Sequence, residues 1–214
     1  MFSELLRPYF RYSRLRAETT ENFRITPEVI RVLRNLSYFE QWKQARANNW
    51  FHVALEDHSL FVFKTGEGAS YHFYDRPLDA VPLSEYIEGN GETYNVRTVE
   101  QFKEEYGEYL LTARAREHVT PIRYDLDFSA YRTGVHPAAH IHFGLDNHIR
   151  IGLHRELTPL SFFLFVLRQM YPRNWEFLME SNLGQNLDRR IRTDLREIEA
   201  AYLKDQDRVE LALL

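Results

Sequence analysis

Alternating apolar and polar positions predict β-strands in two parts of the chain. Residues 50–56, 59–65 and 69–74 form three short alternating runs, separated by turn-forming residues at 56–58 and 66–68. A second group at 121–129, 138–144 and 148–153 alternates in the same way. Because strands joined by short turns must pair antiparallel, the two groups predict an antiparallel sheet of about five to six strands.

Helical spacing of apolar residues flanks and interrupts these strands. Thr26-Pro27 and Thr158-Pro159 are helix-start signals, in which the threonine caps the helix and the proline takes its first position. Helices are predicted over about 2–47, as an insertion at 98–116, and over about 158–205, where the last helix covers about 186–205. Residues 75–97, which contain two prolines and two glycines, are predicted to be a long connection. Since these helices come in blocks and do not alternate with strands, we expect an α+β fold in one domain of residues 1–214.

The composition excludes several classes of protein. The chain has 214 residues, 44% of them hydrophobic, and contains no cysteine, which rules out a thiolate zinc site and a cysteine nucleophile. No run of about 18 apolar residues occurs, so no transmembrane helix is predicted and we expect a cytoplasmic protein. The net charge of −4 is unlike that of a general nucleic-acid binder. Contact with RNA or a nucleotide would need a local patch.

The chain is unusually rich in histidine between residues 136 and 154, where five occur. Within 138–144, His140 and His142 fall on the opposite strand face from the apolar residues, because side chains alternate along a strand. A three-residue loop at 145–147 closes a hairpin in which Gly144 lies opposite His148, His142 opposite Arg150 and His140 opposite Gly152. His52 and His72 of the first strand group are predicted to add to this face.

Further polar residues join the same face if the strand at 122–128 lies beside the hairpin. Its polar side consists of Arg123, Asp125 and Asp127. We predict that these three residues and His142 form a binding surface.

Four interpretations of this face remain open. The first is the wet face that antiparallel sheets commonly have. The second is a metal site in which Asp125, Asp127 or Asp146 joins His140 and His142. The third is metal-independent acid–base chemistry on a phosphate ester, as in a ribonuclease or phosphodiesterase. The fourth is a nucleotide-binding surface without chemistry. Motifs for organic cofactors, such as GxGxxG and the P-loop, are absent.

The segment from about 121 to 172 resembles the bacterial domain-of-unknown-function family 2290. The resemblance rests on His136-Pro137, His140 and Gly144, on Arg150-Ile151, and on the runs Leu157-Thr158-Pro159 and Leu167-Arg168 to Tyr171. The chain departs from the family pattern at Gly152, where proline is expected, and at His142, where a hydroxyl or other residue is expected. The resemblance therefore weakens the His140–His142 metal pair and favours His136, His140, Arg150 and Arg168.

The residues together predict a catalytic set in which His140 is base or acid and His136 or His154 is its partner. Arg150 and Arg168 are predicted to stabilise the anion.

The resemblance brings no activity, and it implies a role in phage defence or a toxin–antitoxin locus. Alternative hypotheses are a non-catalytic accessory subunit or antitoxin-like partner, and a nucleotide-binding sensor. The accessory subunit would dock through its helices and the apolar tail 209–214 onto a protein encoded in the same operon.

Overall fold

The computed structural model describes residues 2–66, 68–145, 149–187 and 194–210. Its main element is a seven-stranded sheet in which every neighbouring pair is antiparallel. In spatial order the strands are β1 (Ala17–Thr20), β2 (Val53–Leu55), β3 (Leu60–Lys64), β4 (Ala69–Tyr74), β7 (Ile122–Leu126), β8 (Ala139–Phe143) and β9 (Arg150–Gly152). A separate two-stranded sheet joins β5 (Leu78–Asp79) to β6 (Arg114–Ala115).

Helices stand at both ends of the chain and between the two strand groups. They are α1 (Phe2–Ser13), α2 (Pro27–Arg34), α3 (Tyr38–Ala47), α4 (Leu83–Gly89), α5 (Val96–Thr112), α6 (Pro159–Met170), α7 (Pro172–Glu180) and α8 (Asp205–Glu210). Among the described residues, no helix is long and apolar enough to cross a membrane. The predicted α+β class and antiparallel sheet are confirmed.

Both Thr-Pro helix starts are present as predicted. The Thr26 and Thr158 hydroxyls accept hydrogen bonds from the backbone N–H groups of Val29 and Ser161, the third residue of each helix. At Thr158 the Ser161 side chain bonds back to the threonine backbone N–H, which completes a capping box. The start of α6 is therefore fixed by local sequence.

Three elements differ from the prediction. Strand β1 lies inside the region predicted as helical, because a short edge strand of mostly exposed polar residues has no alternating apolar signal. The stretch at 75–97, interpreted as a connection, contains β5 and α4. The helix predicted over about 186–205 is not continuous: residues 195–199 are not helical, a 3₁₀ turn covers Ala200–Tyr202, and residues 188–193 lie outside the described part.

Backbone pairing explains the interruption of that last helix. Glu197 makes an isolated bridge to Arg155, and the backbone N–H of Ile198 donates to the carbonyl of His154. These contacts hold the segment extended against the chain that follows β9, although its apolar spacing fits a helix. Of the proposed docking tail, residues 211–214 and the side chains of 209 and 210 also lie outside the description.

The two faces of the main sheet are covered differently. One face packs its aromatic side chains against α6, with Phe61, Phe63 and Tyr71 around the fully buried Phe162. On the other face, α3 covers only the first strands, where Trp42 joins a smaller apolar cluster. The remaining strands on that side, β4, β7, β8 and β9, carry polar residues. We call this second side the cleft face.

Candidate functional site

Two rows of side chains cross the cleft face, because the strand register places their residues directly opposite one another. The first row runs through His72, Arg123, His142 and Arg150. The second row runs through Ser70, Asp125, His140 and Gly152. The predicted hairpin register is therefore confirmed, and β7 does lie beside β8. The predicted pairing of Gly144 with His148 falls outside the described residues.

A cleft of about 1300 Å³, here called the sheet cleft, lies over these rows. The rows form its floor, and the apolar side chains of Val29, Ile30 and Leu33 on α2 form part of its wall. No residue of α2 is buried, although the helix is strongly amphipathic. The apolar stripe of α2 therefore borders open space and not a packed core.

Asp125 lies at the centre of the floor and is held from two sides. The Ser70 hydroxyl donates to Asp125 Oδ1 at 2.7 Å, and Arg123 Nε donates to Oδ2 at 2.7 Å. Ser70 Oγ also lies 2.9 Å from His72 Nε2. Because the single hydroxyl proton goes to Asp125, His72 Nε2 must be the donor in that contact. The hydrogen bonds from His72 to Ser70 and from Ser70 to Asp125 fix the orientation of the Asp125 carboxylate.

His140 and His142 extend from β8 toward the same carboxylate. Their Nε2 atoms lie 4.0 Å and 3.5 Å from Asp125 Oδ2, and their ring centroids are 4.7 Å apart. Only 2% of the His140 surface and 3% of the His142 surface is exposed. The interpretation of this side as a wet sheet face is therefore wrong for these two histidines.

His136 lies next to this pair, with its ring edge-on to that of His140 at 4.9 Å. One ligand atom each from Asp125, His140 and His142 can be chosen so that all three lie within 4.8 Å of one another. His136 is not part of that closely spaced set.

Burial and neighbouring charges set the protonation of the floor. Burial, helped by the Arg123 guanidinium, lowers the pKa of His142 to about 4. Burial also lowers the pKa of His140, against the opposing effect of Asp125. Burial alone would raise the pKa of Asp125, but Arg123 and the Ser70 hydrogen bond outweigh it and hold that pKa below its usual value. Near neutral pH, the floor therefore presents neutral imidazoles beside an ionised carboxylate.

Most of the residues singled out from the sequence line the sheet cleft. These are His136, His140, His142, Arg123, Asp125, Asp127 and Arg150. Arg150 is exposed, at the end of the first row. Asp127 is exposed too, and its Oδ1 accepts hydrogen bonds from both the backbone N–H and the hydroxyl of Ser129. Asp127 caps a turn and does not join the compact set around Asp125.

Three other candidates are not brought to this floor. His154 is exposed beyond the end of β9 and does not line the cleft. Arg168 is on α6, which packs on the opposite face of the sheet, and its guanidinium lies 5.9 Å from the ring centre of Trp175. Asp146 lies outside the described residues. His72 shares the floor as predicted, whereas His52 is buried between Phe2 and Phe63.

Sequence reasoning missed two parts of the site. Ser70 has the same strand phase as His72, so alternation within 69–74 could have placed it on the floor. The apolar spacing on α2 predicted a helix but not that its stripe lines a cleft. Nothing in the helix itself distinguishes a stripe that faces a cleft from one that faces a core.

Comparisons with known proteins identify a family but no activity. A family model described as "Uncharacterized conserved protein (DUF2290)" matches residues 13–204, which is nearly the whole chain and not only the segment that carried the resemblance. No curated protein and no solved structure matches the chain.

Proposed function

The chain belongs to the DUF2290 family, and from the geometry of its sheet cleft we propose that it hydrolyses phosphodiester bonds in single-stranded nucleic acid. One observation carries this proposal. The histidines and carboxylate that can activate water lie on the floor of a cleft whose charged lining is mainly cationic.

The lining favours an anionic ligand even though the whole chain is acidic. Five cationic side chains and three carboxylates line the cleft, whereas the chain has a net charge of −4. The cations are Arg34, Lys64, Arg123, Arg150 and Arg196. Arg123 and Arg150 flank His142 in one row, on the two strands beside β8, which places their backbones roughly 10 Å apart. Two long arginine side chains on either side of His142 can reach toward the oxygens of a phosphate bound between them.

The size and walls of the cleft favour a chain of nucleotides. Its volume of about 1300 Å³ exceeds the roughly 300–1,000 Å³ of small-molecule pockets. From β3 to β9 the floor crosses five strands, or about 19 Å at the usual strand spacing. Phe23, Trp50 and Tyr74 also line it. Aromatic rings beside a cationic track are how proteins bind unpaired bases without reading their sequence.

The proposed reaction is attack of water on phosphorus, with cleavage of the bond to the leaving oxygen. The Asp125–His140–His142 group positions and activates the water, whose proton leaves to the solvent. A proton from the solvent goes to the leaving oxygen and completes the hydrolysis. Arg123 and Arg150 stabilise the negative charge that builds on the other phosphate oxygens.

The test is cleavage of end-labelled oligonucleotides by the purified full-length chain. Single-stranded RNA, single-stranded DNA and duplexes are compared in buffers that contain Mg²⁺, Mn²⁺ or Zn²⁺ in turn. We expect cleavage of a single-stranded substrate and a loss of about 100-fold or more in the His142→Gln variant. The control is His118→Ala, which changes an exposed histidine that does not line the cleft.

Two results would contradict the proposed activity. One is equal cleavage by wild type and His142→Gln, since the activity would then belong to another site or to a contaminant. The other is tight binding of nucleotides with no turnover under any of these conditions, which would support the nucleotide-sensor hypothesis.

The cellular setting is proposed from the family resemblance and not from the cleft. It is a cytoplasmic role in phage defence or a toxin–antitoxin locus. An adjacent small antitoxin gene would support an enzyme. An adjacent nuclease, ATPase or reverse transcriptase gene would support a non-catalytic accessory subunit.

A further inference from the structure

Three atoms that can each serve as a metal ligand converge on one point of the cleft floor. They are Oδ2 of Asp125 and the Nε2 atoms of His140 and His142, at 4.0 Å and 3.5 Å from that oxygen. These separations are too long for good hydrogen bonds, and neither histidine makes one to Asp125. A metal cation placed between them could accept an electron pair from all three atoms.

The backbone fixes the tautomer of His140. Its Nδ1 lies 2.9 Å from the carbonyl oxygen of Pro137, which can only accept a hydrogen bond. Nδ1 therefore carries the proton, and Nε2 presents a lone pair toward Asp125. A histidine held by Nδ1–H to a backbone carbonyl, with Nε2 free, is the arrangement typical of metal-binding imidazoles.

His142 lacks the backbone partner that His140 has, whereas Asp125 is held on both oxygens. His142 is 97% buried, and its Nδ1 has no hydrogen-bond partner among the described residues, so its Nε2 presents a lone pair toward Asp125 in the tautomer that carries the proton on Nδ1. Asp125 is oriented by Ser70 on Oδ1 and by Arg123 on Oδ2. An ionised carboxylate oxygen has a further lone pair beyond the one that Arg123 uses. Such outer-shell hydrogen bonds to a ligating carboxylate are a regular feature of metal centres.

The spacing fits a small divalent ion. Ligand atoms at about 2.0–2.2 Å from a tetrahedral Zn²⁺ lie roughly 3.3–3.5 Å from one another. The 3.5 Å separation from His142 to Asp125 already meets this, and the 4.0 Å separation from His140 needs a shift of about half an ångström. The three ligand atoms lie within 4.8 Å of one another, so the two imidazoles would have to close by at most about 1.3 Å around the ion. Two imidazoles and one carboxylate favour transition metals over Mg²⁺ and Ca²⁺, which prefer oxygen ligands.

We propose that Asp125, His140 and His142 bind one divalent transition-metal ion of the zinc class through Oδ2, Nε2 and Nε2. Three protein ligands leave a coordination position for water, as in catalytic and not structural zinc sites. The binding site stands on geometry alone. Its use to generate the hydroxide that attacks phosphorus rests on the hydrolytic function proposed above.

The experiment measures metal binding by the full-length chain, freed of any affinity tag and stripped with a chelator. Calorimetric titration with Zn²⁺ and with Co²⁺ gives stoichiometry and affinity, and the visible spectrum of the Co²⁺ form reports nitrogen and oxygen coordination. We expect one ion per chain. Asp125→Asn and His142→Gln should each weaken binding by about 100-fold or more, because loss of an outer-shell partner alone typically costs 10–100-fold.

Two further variants keep the result interpretable. Ser70→Ala leaves all three ligands in place and should weaken binding by about 10–100-fold, so it tests the site even if a ligand variant does not fold. His118→Ala should bind as wild type does. Absence of stoichiometric binding by folded wild type would overturn the proposal, as would unchanged affinity in Asp125→Asn, His142→Gln and Ser70→Ala.

Metal binding and hydrolysis can fail separately. Binding of one metal ion per chain without cleavage of any oligonucleotide would refute the proposed function but would still support the metal site. Cleavage that persists in the stripped protein with excess chelator would overturn the metal site and leave a metal-independent hydrolase.

Discussion

Ser70→Ala is the substitution that most sharply tests how the floor of the sheet cleft is held. The Ser70 hydroxyl donates to Asp125 Oδ1 at 2.7 Å and accepts from His72 Nε2 at 2.9 Å. Alanine removes both contacts with almost no change in volume. Asp125 would then keep only Arg123 as a side-chain donor, and the His72 N–H would lose its acceptor.

The expected loss of stability follows from these two contacts. A hydrogen bond to a charged group contributes roughly 1.5–3 kcal/mol to folding, and a neutral one about 0.5–1.5 kcal/mol. The Asp125 side chain is 22% exposed, so water replaces part of the lost bond and the lower ends of these ranges apply. We therefore expect Ser70→Ala to reduce the free energy of unfolding by about 2 kcal/mol.

Urea denaturation of wild type and variant measures this difference. Ser129→Ala is the matched control, because it removes a hydroxyl-to-carboxylate hydrogen bond of 2.6 Å, to Asp127, in an exposed turn. The control should lose less than about 1 kcal/mol, since water replaces the bond. A Ser70→Ala protein as stable as wild type would refute the reasoning that Ser70 holds Asp125 in place.

Three other predictions concern parts of the fold away from the cluster of metal ligands. Burial lowers the pKa of His58 to about 4, so between pH 6.5 and pH 4 the unfolded chain binds a proton that the folded chain does not, and the free energy of unfolding falls as the pH falls. In urea denaturation at several pH values, His58→Asn should reduce this fall by up to about 1.4 kcal/mol per pH unit. An equal pH dependence in wild type and variant would contradict this. Tyr124→Phe leaves the Leu157 N–H without its 3.0 Å partner and should cost about 1–2 kcal/mol in denaturation, an unchanged midpoint being the contrary result. Gly68→Ala, at φ +98° and with its Cβ 2.8 Å from the Leu126 carbonyl oxygen, should cost at least about 1–3 kcal/mol and lower the melting temperature; a melting temperature equal to wild type would show that the turn relaxes freely.

The parts of the fold that could be predicted from sequence are those set by local spacing. Alternation and a three-residue loop were enough to place His142 opposite Arg150, because the register of a hairpin depends on its own turn. The Thr-Pro starts of α2 and α6 were equally local. The long apolar stripe after residue 186 was misleading, since pairing with the chain after β9 overrides helical spacing there.

The candidate site was only partly predictable, because its centre joins residues far apart in the chain. Whether Asp125 faces His140 depends on β7 lying beside β8, which no feature of either strand states alone. Burial of His140 and His142 depends on which residues from other strands and helices pack around them, and the sequence of β8 alone does not predict this. His154 and Arg168 were plausible by residue type, but the end of β9 and the opposite face of the sheet separate them from the floor.

The most direct test of the metal centre is an anomalous-difference map from a crystal of the full-length chain soaked in Zn²⁺ or Co²⁺. The account predicts one strong peak at about 2.0–2.2 Å from Asp125 Oδ2, His140 Nε2 and His142 Nε2, with a water on the side of the cleft. Soaked crystals that show no peak between these three atoms, or that show metal only elsewhere on the chain, would contradict it.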